Sequence, residues 1–327
     1  MIIRLFKSNH IVLSGFVFLV SLLLHIPVFI HSQEYAHFHS SLILGNLFFE
    51  LDGYGFVFDL LALVLVALQA IYFNYLIERF GLMRKHTYLP ALFFVIFSCV
   101  FPEFLGFFQG ILANFLLLFS LNRLLSISSD NSAFSPVFDA LLILSFASFF
   151  YFPVIIFSLV AFAALYIYRP FHWREWVIGL IGFALPYVFA WVYCYISDRE
   201  YLLANHIRHT LDLTSSWPQF QYLSNYFLLI VLIVLFLLGI MSFIRSLNQN
   251  KVRVRKGLQI FICLLIVSFI SPIIFSSYGS SVLIFSVIPF SLYFSSYFLE
   301  LKNQSVAEVL LIIFLSIIVI NQLNYTA

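Results

Sequence analysis

Long apolar runs alternate with short polar segments along the whole of this 327-residue chain. The runs are apolar all round, which is typical of helices that face lipid or lie inside a membrane bundle. A helix needs about 20 such residues to cross roughly 30 Å of hydrocarbon. The pattern therefore predicts an all-α, polytopic transmembrane helix bundle that forms a single integral membrane domain over residues 1–327. About 11 spans are predicted, at residues 11–30, 56–77, 88–102, 105–121, 136–150, 153–168, 176–196, 222–244, 258–275, 281–298 and 306–321.

Composition supports a membrane protein, and it indicates which classes of partner are expected. Hydrophobic residues make up 63% of the chain and charged residues only 9%, so the bilayer is needed as the solvent of the apolar surface. A formal net charge of +2 is too even for a nucleic-acid-binding protein. Cys99, Cys194 and Cys263 lie in apolar stretches without a CxxC pair, which favours buried thiols over disulfides or a zinc site. Membrane lipids are the first expected partners.

The distribution of lysine and arginine predicts the orientation of the bundle. If the N-terminus lies inside, 14 of the 16 basic residues fall in inner segments, and Arg199 and Arg208 fall outside. An excess of Lys and Arg marks cytoplasmic loops, and the basic inner loop at 245–257 is the strongest such cluster. The chain is therefore predicted to be a multi-pass protein of the cell inner (cytoplasmic) membrane, with its N-terminus inside and its C-terminus outside.

The predicted outer face collects the polar residues, in loops 31–55 and 197–221 and on the turn at Glu103. The candidate catalytic residues are Asp52, Glu103 and Glu50, since a carboxylate can act as a general base toward a hydroxyl. Arginine can hold a phosphate with two hydrogen bonds. The set suits a lipid-linked phosphate substrate, and it equally suits loops that simply face water. The candidate substrate-binding residues are Arg199, Arg208, His206, His209, His37 and His39.

No residue is assigned as a metal ligand. The histidine pairs at 37 and 39 and at 206 and 209 match no diagnostic spacing for a transition metal. A Mg²⁺ or Mn²⁺ ion held by Asp52 and Glu103 stays open as an alternative.

Few polar residues fall inside the predicted spans. Asp59 and Asp139 are expected near span ends, where water or a neighbouring helix can satisfy them. Hydrogen bonds between helices are expected to explain most of the deeper polar residues. These are His25, Gln69, Asn74, Gln109 and Asn114.

Several short aromatic and proline motifs lie between Tyr88 and Ile196. They are Leu89-Pro90-Ala91-Leu92-Phe93, Phe101-Pro102-Glu103-Phe104, Leu112-Ala113-Asn114, Phe149-Phe150-Tyr151-Phe152-Pro153 and Arg169-Pro170-Phe171-His172-Trp173-Arg174-Glu175-Trp176. In these motifs the chain resembles an uncharacterised family of polytopic inner-membrane proteins of Bacteroidota. The resemblance implies a class of protein and a two-membrane cell, and it implies no mechanism.

The layout of the chain is also similar to that of the GT-C glycosyltransferases. It has a first span, a long outer loop with acidic residues, and then a run of closely joined spans. The resemblance implies a polyprenyl-phosphate-linked sugar as donor, with Glu50 or Asp52 as the first-loop acid and Glu103 as the later one. The chain departs from the family in carrying no DxD pair. This is a likeness of layout, and layout alone does not establish function.

Three functions stay open. A GT-C-like glycosyltransferase, or a degenerate relative, would act on a lipid-linked sugar at the outer leaflet, with Asp52 and Glu103 in one cavity near Arg199 or Arg208. A non-enzymatic scaffold or assembly partner of envelope machinery would show dispersed acids and a flat apolar face for other envelope proteins. A lipid or glycan flippase would need a polar groove through the bundle, which the few polar residues within spans disfavour.

Overall fold

The computed structural model describes residues 2–7, 12–30, 55–127, 133–169, 172–197, 230, 239, 251–301 and 303–326. Within these ranges every regular element is helical, as the continuous apolar runs predict. The α-helices are α1 Ile2–Phe6, α2 Val12–Ile30, α3 Gly55–Phe80, α4 Leu89–Ser98, α5 Phe108–Ser126, α6 Phe134–Ala147, α7 Ser158–Tyr168, α8 Trp173–Ile196, α9 Val252–Ile274, α10 Val287–Glu300 and α11 Gln304–Thr326. Three 3₁₀ segments accompany them, at Pro102–Phe104, Phe152–Phe157 and Ser276–Ser286.

Six helical stretches of the described chain are long and apolar enough to cross a membrane. They are Phe56–Phe80, Phe108–Ser126, Trp173–Ile196, Val252–Ile274, Tyr278–Glu300 and Ser305–Gln322. Shorter apolar helices lie at Val12–Ile26, Leu89–Ser98, Phe134–Ala147 and Phe152–Tyr168. The prediction of an all-helical chain with several candidate membrane-spanning helices is confirmed for the described residues, whereas the count of about 11 spans and the orientation stay predictions. The span predicted at 222–244 lies outside the described ranges except for two residues.

The long helix α3 packs against α2, α4 and α5, and α6 lies between α5 and α8. The short helix α4 is buried along its whole length, and its other side packs against α10. Phenylalanine fills this contact: the Phe97 and Phe294 rings lie 4.9 Å apart, and those of Phe93 and Phe298 lie 4.8 Å apart. Much of the high Phe content therefore serves packing between helices, where large rings bury the most surface.

Arg79 and Lys256, at the ends of two helices, bond to neighbouring helices at one end of the bundle, which we call the basic end. The Arg79 guanidinium donates to Asn122 Oδ1 at 3.2 Å, linking the ends of α3 and α5. Lys256 Nζ on α9 donates to the Tyr168 carbonyl at 3.4 Å. The N–H of Tyr88 also donates to the Phe6 carbonyl at 3.0 Å, which brings α1 to the same end.

The three 3₁₀ segments lie at the opposite end, which we call the 3₁₀ end. The Pro102–Phe104 segment contacts the Ser276–Ser286 segment. Tyr151, which directly precedes the Phe152–Phe157 segment, is fully buried, with its hydroxyl 3.1 Å from Ser281 Oγ. Backbone that leaves the α-helix is tolerated at membrane depth where protein surrounds it. Pro90 and Pro153 each lie in the first turn of a helical segment, a position that proline favours because its ring fixes a helical φ.

Candidate functional site

A tight turn at the 3₁₀ end joins α4 to α5. It begins with the 3₁₀ segment Pro102–Phe104, in which the N–H of Leu105 donates to the Pro102 carbonyl at 3.0 Å. Gly106 follows with a φ of 73°, a left-handed conformation that glycine adopts without steric cost. The chain thereby reverses within a few residues, and α5 starts at Phe108.

Glu103 is the one residue of segment 99–107 that is not fully buried. Its neighbours in the turn are apolar, and the Phe101 and Phe104 rings pack edge to face at 5.2 Å. This half-desolvated setting raises the pKa of Glu103 to about 7, because an apolar environment disfavours the charged carboxylate. Among the described residues it has no hydrogen-bonding or ionic partner. A carboxyl group that titrates near neutral pH can exchange protons with a substrate.

Asp59 is a second carboxyl group at the same end. It lies in the second turn of α3, it is 2% exposed, and its Oδ2 has no hydrogen-bond partner in the described structure. The adjacent Phe58 packs on Phe108 with ring centroids 5.4 Å apart. This contact brings the start of α3 to the start of α5, directly after the Glu103 turn. The sequence predicted the place of Asp59 near a span end, but it did not predict so complete a burial.

His25 on α2 is the third polar group near this end. Its Nδ1 lies 2.8 Å from the Ser21 carbonyl and 3.7 Å from Cys99 Sγ. Because a carbonyl can only accept, Nδ1 carries the proton and Nε2 is left as an acceptor. Nε2 is buried and unpartnered in the described structure. Gln322 Nε2 closes the cluster from α11 by donating to the Cys99 carbonyl at 3.0 Å.

His25 and Asp59 lie at similar depth in the bundle. The two helices run antiparallel, and Phe29 meets Phe56 with ring centroids 5.6 Å apart. His25 precedes Phe29 by about one turn, and Asp59 follows Phe56 by about one turn. At 1.5 Å per residue, both polar groups therefore lie roughly 5 Å deeper than this ring pair. No pattern in the sequence marks this shared depth, because it depends on how α2 and α3 pair.

The polar residues farther along α3 and α5 bond to one another. Gln69 Nε2 donates to the Ile111 carbonyl at 2.8 Å, and Asn114 Nδ2 donates to Gln69 Oε1 at 3.2 Å. Nearer the basic end, Asn122 Nδ2 donates to the Tyr72 hydroxyl at 2.9 Å. For Gln69 and Asn114 the prediction of hydrogen bonds between helices is confirmed.

Of the predicted site residues, Glu103 alone falls within the described ranges. The others, both acids of the first loop and all the predicted substrate-binding residues, lie outside the described residues. These are Asp52, Glu50, Arg199, Arg208, His206, His209, His37 and His39. The proposal of a Mg²⁺ or Mn²⁺ site with Asp52 rests on the same loop. In the part of the chain that the structure describes, no group of three or more His, Cys, Asp or Glu side chains could hold a metal ion.

Asp139 has a different environment from Asp59. It lies near the start of α6 at the basic end, with its Oδ2 3.4 Å from Arg123 Nε, and its side chain is 32% exposed. The expectation that this acid is satisfied near a span end is confirmed. Asp139 is therefore part of the surface of the bundle, and it is not a candidate for chemistry.

Comparison of the chain with protein-family models, with curated protein sequences and with solved structures yields no match. The site must therefore be interpreted from its own chemistry. It combines an accessible carboxyl group with a pKa near neutrality, a buried carboxyl group and a buried imidazole, at the end of the bundle opposite the basic residues.

Proposed function

We propose that this chain is a GT-C-like glycosyltransferase of the inner membrane, acting on a lipid-linked sugar at the outer leaflet. The observation that carries the proposal is Glu103, a half-buried carboxyl group with a pKa of about 7 and no partner among the described residues. A general base works best when its pKa lies near the working pH. The likeness of layout to GT-C enzymes gives the reaction class.

The basic end supports the proposed orientation. Arg79, Arg123, Arg169 and Lys256 belong to four predicted inner segments, and their contacts lie together at one end. Lysine and arginine concentrate on the cytoplasmic side of membrane proteins. The 3₁₀ end, with Glu103, then faces the outer leaflet, where a lipid-linked donor would be used.

The proposed reaction is the transfer of a sugar from a polyprenyl phosphate to an acceptor hydroxyl. Glu103 takes the proton from the hydroxyl, and the hydroxyl oxygen forms a bond to the anomeric carbon of the sugar. The bond between that carbon and the phosphate oxygen breaks, and the polyprenyl phosphate leaves with the electron pair. Arg199 and Arg208 are proposed to hold this phosphate, and Asp52 or Glu50 is proposed to orient the acceptor.

A deletion strain tests the proposal. Lipid-linked sugars and surface glycans are profiled by mass spectrometry in strains carrying no copy, the wild type, Glu103→Gln or Glu300→Gln. The control replaces an exposed glutamate at the far end of α10. We expect one sugar to be lost on deletion, restored by the wild type and the control, and not restored by Glu103→Gln at equal protein abundance. Unchanged profiles on deletion, or full rescue by Glu103→Gln, would reject the transferase.

Helix α8 supports a second candidate, a scaffold or assembly partner. Only 17% of its most apolar stretch is buried inside the bundle, against 83% for the stretch containing α10. Its extensive contacts are with α6, and Leu180, Val188 and Phe189 are among its exposed side chains. Photo-crosslinking from Leu180 and Phe189 in intact membranes discriminates the two roles. A single protein adduct favours the scaffold, and lipid adducts alone remove its support.

A further inference from the structure

A cavity at the basic end is separate from the Glu103 site. Its volume is about 360 Å³, which is within the range of small-ligand sites, and it is half-open to the surroundings. It lies at the start of α8, where this candidate membrane-spanning helix begins. Helices of this length and composition begin near the level of the lipid head groups. Its lining residues are Phe134, His172, Trp173, Arg174 and Glu175.

One side of the cavity suits an anion. The first N–H groups of a helix have no partner within the helix and carry partial positive charge, and no side chain caps this helix start. The exposed Arg174 adds a full charge. Its guanidinium lies 5.8 Å from the centre of the Trp173 ring, so stacking can orient it while its N–H groups remain available to a phosphate.

The other side of the cavity suits a cation or another hydrogen-bond donor. Glu175 is 3% exposed, and its Oε1 accepts from Arg169 at 3.1 Å and from the Ala133 N–H at 3.3 Å. Its Oε2 is buried and has no hydrogen-bond partner in the described structure. A buried carboxylate oxygen without a donor is costly, and a ligand that brings an N–H group would remove this cost.

We infer that this cavity binds the head group of an aminophospholipid, with the phosphate on Arg174 and the start of α8 and the ammonium group on Glu175 Oε2. A phosphoethanolamine group carries both a phosphate and an ammonium group, two carbon atoms apart. Phe134 and Trp173 would lie beside the upper part of the acyl chains, as aromatic side chains do at the membrane interface. The pairing of Arg169 with Glu175 leaves Arg174 to balance the phosphate.

Lipid-dependent thermal unfolding of the purified full-length chain in detergent tests this site. Short-chain phosphatidylethanolamine, phosphatidylcholine and phosphatidylglycerol are titrated separately. Phosphatidylcholine has the same phosphate but no N–H donor, and phosphatidylglycerol has the phosphate and hydroxyl groups without the ammonium. We expect phosphatidylethanolamine to raise the Tm at concentrations at least about tenfold lower than either other lipid, because its bond to Glu175 is charge-assisted.

Arg174→Gln and Arg255→Gln form a matched pair. Both remove one exposed arginine near the start of a helix at the basic end, but Arg255 does not line the cavity. We expect Arg174→Gln to weaken the phosphatidylethanolamine effect about tenfold or more, and Arg255→Gln to behave as the wild type. Glu175→Gln should abolish the preference for phosphatidylethanolamine over phosphatidylcholine.

Three results would overturn the inference: equal effects of the three lipids, a stronger effect of phosphatidylglycerol, or an unchanged response in Arg174→Gln. Glu175→Gln also disturbs the pair with Arg169, so Arg174→Gln decides the matter if the Glu175 variant does not fold. None of these measurements depends on sugar transfer, and the result stands apart from that of the deletion strain.

Discussion

Glu103 and Asp59 are carboxyl groups in apolar surroundings that differ in their access to water. Glu103 is half-buried on a turn, whereas Asp59 is 2% exposed within a candidate membrane-spanning helix. Neither has a salt bridge to a described basic residue, and Asp139 at the basic end does have one. Acidic groups without partners inside membrane proteins are costly and are commonly retained for function. Both can therefore be tested through stability as well as through activity.

For Glu103 we expect the wild type to lose stability as the pH rises, and we expect Glu103→Gln to lack this part of the pH dependence. The unfolded carboxyl has a pKa of about 4.3, and burial raises the pKa of the folded group to about 7. Between these values the folded chain holds a proton that the unfolded chain has lost, so the free energy of unfolding falls as pH rises. At pH 8, the free energy of unfolding of Glu103→Gln should be more than about 1 kcal/mol higher than that of the wild type, since one pKa unit corresponds to about 1.4 kcal/mol. Thermal unfolding in detergent at pH 5 and pH 8 measures the difference, with Glu300→Gln as the control. Identical changes in stability with pH in the wild type and Glu103→Gln would contradict the prediction.

For Asp59 we expect substitution by Asn to stabilise the protein. The buried Oδ2 has no hydrogen-bond donor, so a neutral amide of the same shape avoids the cost of a buried charge. The free energy of unfolding at pH 8 should rise by about 1–3 kcal/mol. Asp139→Asn is the control. It removes a partly exposed ion pair and should change the free energy of unfolding by less than about 1 kcal/mol. A loss of stability in Asp59→Asn would show that the Asp59 carboxylate does have a stabilising partner.

At the scale of helices, sequence patterns located the elements well and their ends less well. The runs at 11–30 and 56–77 correspond to α2 and α3, because an uninterrupted apolar stretch leaves few alternatives to a helix. The run predicted at 88–102 extends past the end of α4 at Ser98, and a separate 3₁₀ segment begins at Pro102. The 3₁₀ segment contacts the segment 276–286, far away in the chain, and no local pattern encodes such a contact.

The candidate site was predictable to the same partial extent. Glu103 is conspicuous as a lone acid beside a proline between two apolar runs, and its place on a turn follows directly. The accessibility of its carboxyl group and the shared depth of His25 and Asp59 depend on tertiary contacts. No local pattern encodes such contacts, so the sequence identified the acid without its environment.

The contact between α6 and α8 provides a test of helix packing. A Cβ added at Gly182 would lie 2.7 Å from the backbone oxygen of Phe138, whereas one at Gly179 would meet the side chain of Leu141 at 2.8 Å. A side-chain methyl group can move aside, but a helix backbone cannot move without separating the two helices. Small residues at such crossings allow close approach of helices in membranes.

We therefore expect Gly182→Ala to lower the free energy of unfolding by about 1–3 kcal/mol, the usual cost of overpacking. Gly179→Ala should cost clearly less, because Leu141 can adopt another rotamer and alanine favours the helix. Both variants are compared by thermal unfolding in the same detergent. Equal losses in the two would show that α6 and α8 do not approach each other as closely at Gly182 as the structure places them.

At the scale of the whole molecule, the two ends of the bundle have different chemistry. Arginine and lysine side chains bond across helix ends at the basic end, while the 3₁₀ end holds Glu103, Asp59 and His25. The same asymmetry supports both proposals. The transferase requires the 3₁₀ end to face the outer leaflet, and the lipid cavity then belongs to the inner leaflet. Orientation is thus the property of the molecule on which most of the functional argument depends.

Cysteine labelling measures this orientation directly. In a cysteine-free background, Lys85→Cys places a thiol at the exposed basic end and Ser197→Cys places one directly after α8. Because basic segments stay cytoplasmic, a membrane-impermeant maleimide should label Lys85→Cys in inverted vesicles and Ser197→Cys in spheroplasts, with both labelled after detergent treatment. The reverse pattern would place Glu103 on the cytoplasmic side, where an outer-leaflet donor cannot reach it. Labelling of both thiols from the same side would mean that the Lys85 segment, between α3 and α4, and the end of α8 lie on the same side of the membrane. That result would contradict the arrangement of the bundle.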